Sequence, residues 1–239
     1  MHKKLFAALI FGALCLGFAP GRARAQTDDE RKLEVGAQFS LLRFQERTGV
    51  NSTFCTGGVC PTFNETAAGQ TEPGGGGRVG YNLNRHVAVE AQLDFFPRNR
   101  DLEGGRKLEG LFGVKAGQRY DKVGVFAKAR PGFLRSGKGD FHLARPCVAI
   151  FPMPVACYDA DARTDFAFDV GGVLELYPTA RTLIRFDAGD TILRLSDRNV
   201  PVVVPPAPGS LAPTRIGVVP VSSETTHNLQ VSVGVGFRF

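Results

Sequence analysis

A hydrolytic centre needs a nucleophile or an activated water held beside a histidine and a carboxylate, so the histidines of the 239-residue chain are the first residues to weigh. Beyond the first 25 positions there are three, His86, His142 and His227. Only His227 has candidate partners nearby in sequence, in Ser222, Ser223 and Glu224, and none of the three has the spacing of a known triad. The sequence therefore predicts no catalytic residue, no cofactor and no metal ligand. The cysteines Cys55, Cys60, Cys147 and Cys157 are disulfide candidates, paired by proximity as Cys55 with Cys60 and Cys147 with Cys157. A zinc site fits less well, because the spacings are not those of short Cys-x-x-Cys pairs and no histidine is close. The glycine run at 74–77 leads into a strand pattern, not a helix, so it cannot cradle a phosphate at a helix N-terminus.

The charge balance changes once the N-terminus is read. Lys3 and Lys4, an apolar stretch over 5–19 and the small-residue exit Ala23-Arg24-Ala25 form the three parts of a secretory signal peptide, residues 1–25, cleaved after Ala25. Its removal takes four of the 29 basic residues and no acid, leaving 25 against 23 and reducing the formal charge from +6 to +2. The apparent basicity gives no reason to expect nucleic acid. No later apolar run approaches the roughly 20 residues of a spanning helix.

The charged residues that remain fall on strands. Read at period two, the mature chain resolves into eight segments with one apolar face, near 33–44, 76–83, 87–96, 108–118, 123–130, 165–176, 182–192 and 228–239. The opposite face carries the acids Glu34, Glu90, Asp94, Glu109, Asp165, Asp169, Glu175 and Asp187, the bases Arg78, Lys115, Lys128, Arg130, Arg185 and Arg238, and many glycines. Tight turns at 82–86, 119–122 and 177–181 alternate with longer loops, three of them extended, about 46–75, 135–164 and 195–227. Loop lengths sorted by parity are expected of a transmembrane barrel, where every second connection lies on the same side of the membrane. The fold expected is all-β: an eight-stranded antiparallel up-and-down transmembrane barrel over residues 26–239, closed so that no backbone group faces lipid unpaired.

The C-terminal strand, with Ser232, Gly234, Phe237 and Phe239, resembles the outer-membrane assembly signal that ends in a terminal phenylalanine. With the strand pattern, it makes the chain similar to the eight-stranded outer-membrane β-barrel family, the OmpA-like and OmpX-like barrel domain. The resemblance implies that the bacterial outer membrane is the location and its lipid the surroundings, and that the barrel assembly machinery recognises the last strand through Phe237 and Phe239. Two departures are expected. No peptidoglycan-binding domain follows the last strand, and without tryptophan any interfacial aromatic girdle must use Phe and Tyr.

An eight-stranded barrel has an interior just wide enough for side chains to fill. Glu90, Lys115, Lys128, Arg130, Asp169, Glu175, Arg185 and Asp187 are accordingly expected to form an ionic network that plugs it. The function expected is non-enzymatic, a monomeric surface protein whose outer loops contribute to integrity or meet an extracellular partner. The alternatives are a narrow passive pore and, less favoured, a lipid A-modifying enzyme using His227.

Overall fold

The computed structural model describes residues 31–45, 47–53, 62–67, 69–99, 104–143, 158–204 and 215–239. The segment expected as a signal peptide, and Cys55, Cys60, Cys147 and Cys157 expected as disulfides, lie outside these residues. The described elements are the strands β1 (Leu33–Phe44), β2 (Arg47–Thr53), β3 (Thr62–Ala67), β4 (Gln70–Asn82), β5 (Val87–Phe96), β6 (Lys107–Arg119), β7 (Val123–Leu143), β8 (Tyr158–Leu176), β9 (Thr182–Leu195), β10 (Arg198–Val204), β11 (Arg215–Val221) and β12 (Glu224–Arg238). Eight of them close a barrel in the order β1-β12-β9-β8-β7-β6-β5-β4, all pairs antiparallel, while β2 with β3 and β10 with β11 form two separate hairpins.

Every pair around the ring is hydrogen-bonded, so the sheet has no edge to present to lipid. Closure is completed at the bottom, where Phe239 N donates to Leu33 O at 2.8 Å. The short turns hold themselves with side-chain acceptors. Asn84 Oδ1 takes the His86 and Val87 amides, both at 2.8 Å, and Thr179 Oγ1 takes those of Arg181 and Thr182. These turns mark the periplasmic end, and the long connections mark the outer end.

Strands run well into the segments expected as loops. β4 already begins at Gln70, β7 continues to Leu143, β8 starts at Tyr158, and the connection expected over 195–227 contains β10, β11 and the start of β12. The physical reason is that alternation reports only strands with one apolar face. Above the apolar band both faces meet water, the pattern fades, and the hydrogen-bond ladder continues without it.

Alternate residues sort cleanly by face. Outward side chains such as Phe39, Leu93, Phe112, Val125, Phe166, Phe186 and Val235 are exposed as a membrane wall should be, while the intervening residues are buried. Several inward glycines are where strands approach too closely for a side chain. A Cβ at Gly132 would lie 2.0 Å from the Gly110 carbonyl oxygen, and one at Gly117 2.1 Å from that of Val125. Not every phenylalanine faces lipid, however. Phe96, Phe126 and Phe141 are buried inside, and Phe96 joins Leu42, Leu111, Leu134, Ala167, Leu193 and Leu195 in an apolar cluster in the outer half of the lumen.

Candidate functional site

The only dense collection of charged side chains among the described residues fills the lumen, and the strands place it in layers. At the periplasmic end Glu34 of β1 gathers donors from around the ring. Its carboxylate lies 3.0 Å from Lys115 Nζ, 3.1 Å from Arg119 Nη2, 2.9 Å from Asn82 Nδ2 and 3.3 Å from Arg238 Nε. Glu175 of β8 joins the layer through Lys115 at 2.5 Å and through the Tyr177 hydroxyl, which donates to it at 2.7 Å.

The middle layer is built on two arginines. Arg185 of β9 reaches Glu90 of β5 with both terminal nitrogens, at 2.6 and 2.9 Å, and also holds Asp187 on its own strand at 2.7 and 2.8 Å. Arg130 of β7 binds Asp169 at 2.6 and 2.8 Å and Glu90 at 3.1 Å. Lys128 bridges Asp169 at 3.0 Å and Asp187 at 3.4 Å. Such pairs with fork geometry are the strong kind, and here they are removed from water. The eight residues expected in the network, Glu90, Lys115, Lys128, Arg130, Asp169, Glu175, Arg185 and Asp187, are thus brought into one set of ion pairs, none more than 5% exposed.

Above them the chemistry changes from ion pairs to amides. Asp94 takes hydrogen bonds from Gln38, Ser40 and Gln92, and Glu109 takes one from Gln230 at 2.7 Å, which in turn accepts from Thr191. The apolar cluster begins at this height, since Leu111 is opposite Gln92, and Leu134 is opposite both Glu109 and Asp165. Lys107 with Glu72, at 3.3 Å, and Arg163 with Asp165, at 2.6 Å, stand beside that cluster at the outer end. Among the described residues the inward side chains therefore change along the axis from ions to amides to hydrocarbon.

Glu72, Lys107, Arg119 and Arg163 were not anticipated, although each falls on the inward parity of its strand once that strand is extended past the apolar band. The inward leucines were missed for the same reason. No sequence signal distinguishes an apolar residue that faces the lumen from one that faces lipid, apart from its parity with charged neighbours.

The histidines are scattered. His86 Nδ1 lies 3.1 Å from the Gly117 carbonyl oxygen in a periplasmic turn, and His142 lies 3.7 Å from Asp161 on the extended outer part of β7. His227 Nδ1 lies 2.6 Å from Asp190 Oδ2 on the outer wall, with no serine, threonine or cysteine hydrogen-bonded to it among the described residues. Among the same residues no group of three or more His, Cys, Asp or Glu side chains could hold a metal ion. On β12, Ser232 is opposite Ser40 and Asp187, Gly234 is buried against Gln38, and Phe237 and Phe239 stand outward, 56% and 67% exposed, at the periplasmic rim.

The family model described as outer membrane protein beta-barrel domain matches residues 11–239. Solved structures of similar fold include Neisserial surface protein A, at 10% identity and TM-score 0.49, covering 87% of this chain and 97% of that one. The attachment invasion locus protein Ail of Yersinia pestis aligns at 11% identity and TM-score 0.42, covering 87% and 99%, and OprG of Pseudomonas aeruginosa at 8% and 0.44, covering 88% and 99%. No curated protein matches the chain.

Proposed function

Because the chain belongs to the outer membrane protein β-barrel family and so to the bacterial outer membrane, we propose that it is a non-enzymatic barrel, closed to solutes by its lumen network, that presents its outer strands to a partner at the cell surface. The observation that carries this reading is the Arg185–Glu90 pair, whose two partners come from opposite sides of the ring and obstruct the axis. An open path would have to break it and then displace the apolar cluster above.

The outer platform is supported by its attachments. Asp140 Oδ1 of β7 accepts the Asn199 amide of β10 at 2.8 Å, and Asp197 Oδ1 accepts the Ser223 amide at 2.6 Å, so the β10–β11 hairpin is tied to β7 at one root and its two roots are tied to each other. A tied ribbon loses less conformational freedom on meeting a partner than a free loop would. Among the described residues the exposed His227–Asp190 dyad has no nucleophile hydrogen-bonded to the imidazole, which favours a non-enzymatic reading. Solute uptake into vesicles carrying the folded protein tests the closure. Small sugars should enter no faster than into empty vesicles, and faster entry would refute it.

A further inference from the structure

On its membrane-facing side the wall is not uniformly covered. Thr71, Pro73, Gly75, Gly77 and Val79 of β4 point outward, and at Gly75 and Gly77 the wall has no side chain at all. The adjoining inward glycines have an evident cause. A Cβ at Gly76 would lie 2.0 Å from the Leu93 carbonyl oxygen, and one at Gly74 2.5 Å from the Phe96 ring. The outward pair has none, since a Cβ would meet nothing nearer than 3.4 Å at Gly75 and 3.7 Å at Gly77. Glycine weakens a strand and is here not required by the backbone, so the space it leaves is the feature to explain.

That space is a groove of about 450 Å³ with apolar walls. Cross-strand register sets Phe39 of β1 and Phe95 of β5 on either side of Gly75, and Leu93 beside Gly77, with Val35 and Val79 at the lower end. From Gly75 to Val79, the part of β4 that lines it, the strand rises about 13 Å. At barrel tilt this is about 10 Å of depth, about two-thirds of one leaflet of a hydrocarbon core about 30 Å thick.

The outer end of the groove is basic. Arg43 is the cross-strand partner of Thr71 and points outward, and Arg98 Nη1 donates to the Thr71 carbonyl oxygen at 3.0 Å. Neither arginine makes an ion pair among the described residues, and Thr71 is itself exposed. Two guanidinium groups at a membrane surface match the geometry and charge of a phosphate.

We propose that this face binds the phosphorylated glycolipid of the outer leaflet, lipid A, with one acyl chain laid along Gly75 and Gly77 between Phe39 and Phe95 and a phosphate held by Arg43 and Arg98. The groove and the arginines are independent features, the arginines standing at Thr71, four residues or about 13 Å of strand above Gly75, a distance that one acyl chain spans. The apolar depth selects a single chain, and the position beside the long loops selects the outer leaflet.

Native mass spectrometry of the detergent-solubilised full barrel, titrated with lipid A, tests this. Two double variants remove the two halves of the site, Gly75→Val with Gly77→Leu filling the groove and Arg43→Gln with Arg98→Gln removing the charge. Ala116→Leu, on the outward face of β6, is the control. Each double variant should retain lipid A about tenfold more weakly than wild type, the control should retain it fully, and wild type should retain dephosphorylated lipid A about as weakly as the arginine variant does. Heat-modifiable gel migration confirms that each protein is folded. Folded double variants that bind lipid A within about twofold of wild type would overturn the proposal, as would equal retention of phosphatidylglycerol and lipid A by wild type.

Discussion

Arg185 on β9 and Glu90 on β5 face each other across the full width of the barrel, four strands apart in a ring of eight, with paired contacts of 2.6 and 2.9 Å. Both side chains are essentially without solvent exposure. A pair in this position ties two walls together as well as neutralising charge. Each of the two also has a second partner, Asp187 for Arg185 and Arg130 for Glu90, and Lys128 closes the middle layer into a ring by bridging Asp169 and Asp187.

The losses on removing the two members should therefore not add. Glu90→Gln leaves Arg185 with Asp187 and Arg130 with Asp169 but takes from a dry interior the carboxylate that both arginines share, and should destabilise the barrel by about 3 to 5 kcal/mol, while replacing Glu90 and Arg185 together by leucine should lie well below the sum of the two single losses. Urea unfolding in lipid vesicles reads both. Additive losses would show that the two side chains are not coupled.

The apolar cluster predicts a contrast between two adjacent phenylalanines. Phe96 is fully buried in the lumen, whereas Phe95 is 45% exposed on the outer wall. Phe96→Ala should cost about 3 to 5 kcal/mol, and Phe95→Ala distinctly less, because lipid can fill the space it leaves. Equal losses in the same unfolding experiment would mean that the two faces are assigned the wrong way round.

The backbone contacts predict a similar contrast in the glycine run. Gly76→Ala forces a methyl group onto the Leu93 carbonyl and should lower stability by about 1 to 3 kcal/mol or more. Gly77→Ala has room and should stay within about 0.5 kcal/mol of wild type. The temperature at which the folded gel band is lost ranks the two.

How much of this was legible in the sequence depends on where a residue stands along its strand. Within the apolar band, parity alone placed Glu90, Lys128, Asp169 and Arg185 on one face, because lipid on one side and charge on the other leave a period-two signature. Outside the band the signature is lost. The outer ends of β7 and β8 were expected as loop, and Lys107 and Glu72 were not assigned to the lumen. Partnership was not legible anywhere: no pattern in one chain says that residue 185 meets residue 90, since that depends on register and on the stagger of the closed ring. The Arg43–Thr71–Arg98 arrangement is of the same kind, produced by cross-strand pairing.

The C-terminal strand should matter more to assembly than to the folded state. Phe237 and Phe239 stand outward and bury little against the protein, and the hydrogen bonds that removing Phe239 deletes are at the rim. Deleting Phe239 should reduce the folded, heat-modifiable fraction in cells severalfold while refolding of the purified chain into detergent proceeds as for wild type. An unchanged cellular fraction would argue that the strand is only an interfacial anchor.

The claim on which the account depends is that the lumen is closed, and single-channel recording in planar bilayers tests it most directly. The purified wild-type barrel should show no sustained stepwise openings, and replacing Glu90 and Arg185 together by alanine should leave the bilayer quiet, because the apolar cluster above them remains. Steady openings from the wild-type protein would contradict a lumen sealed by the ions, amides and hydrocarbon described above.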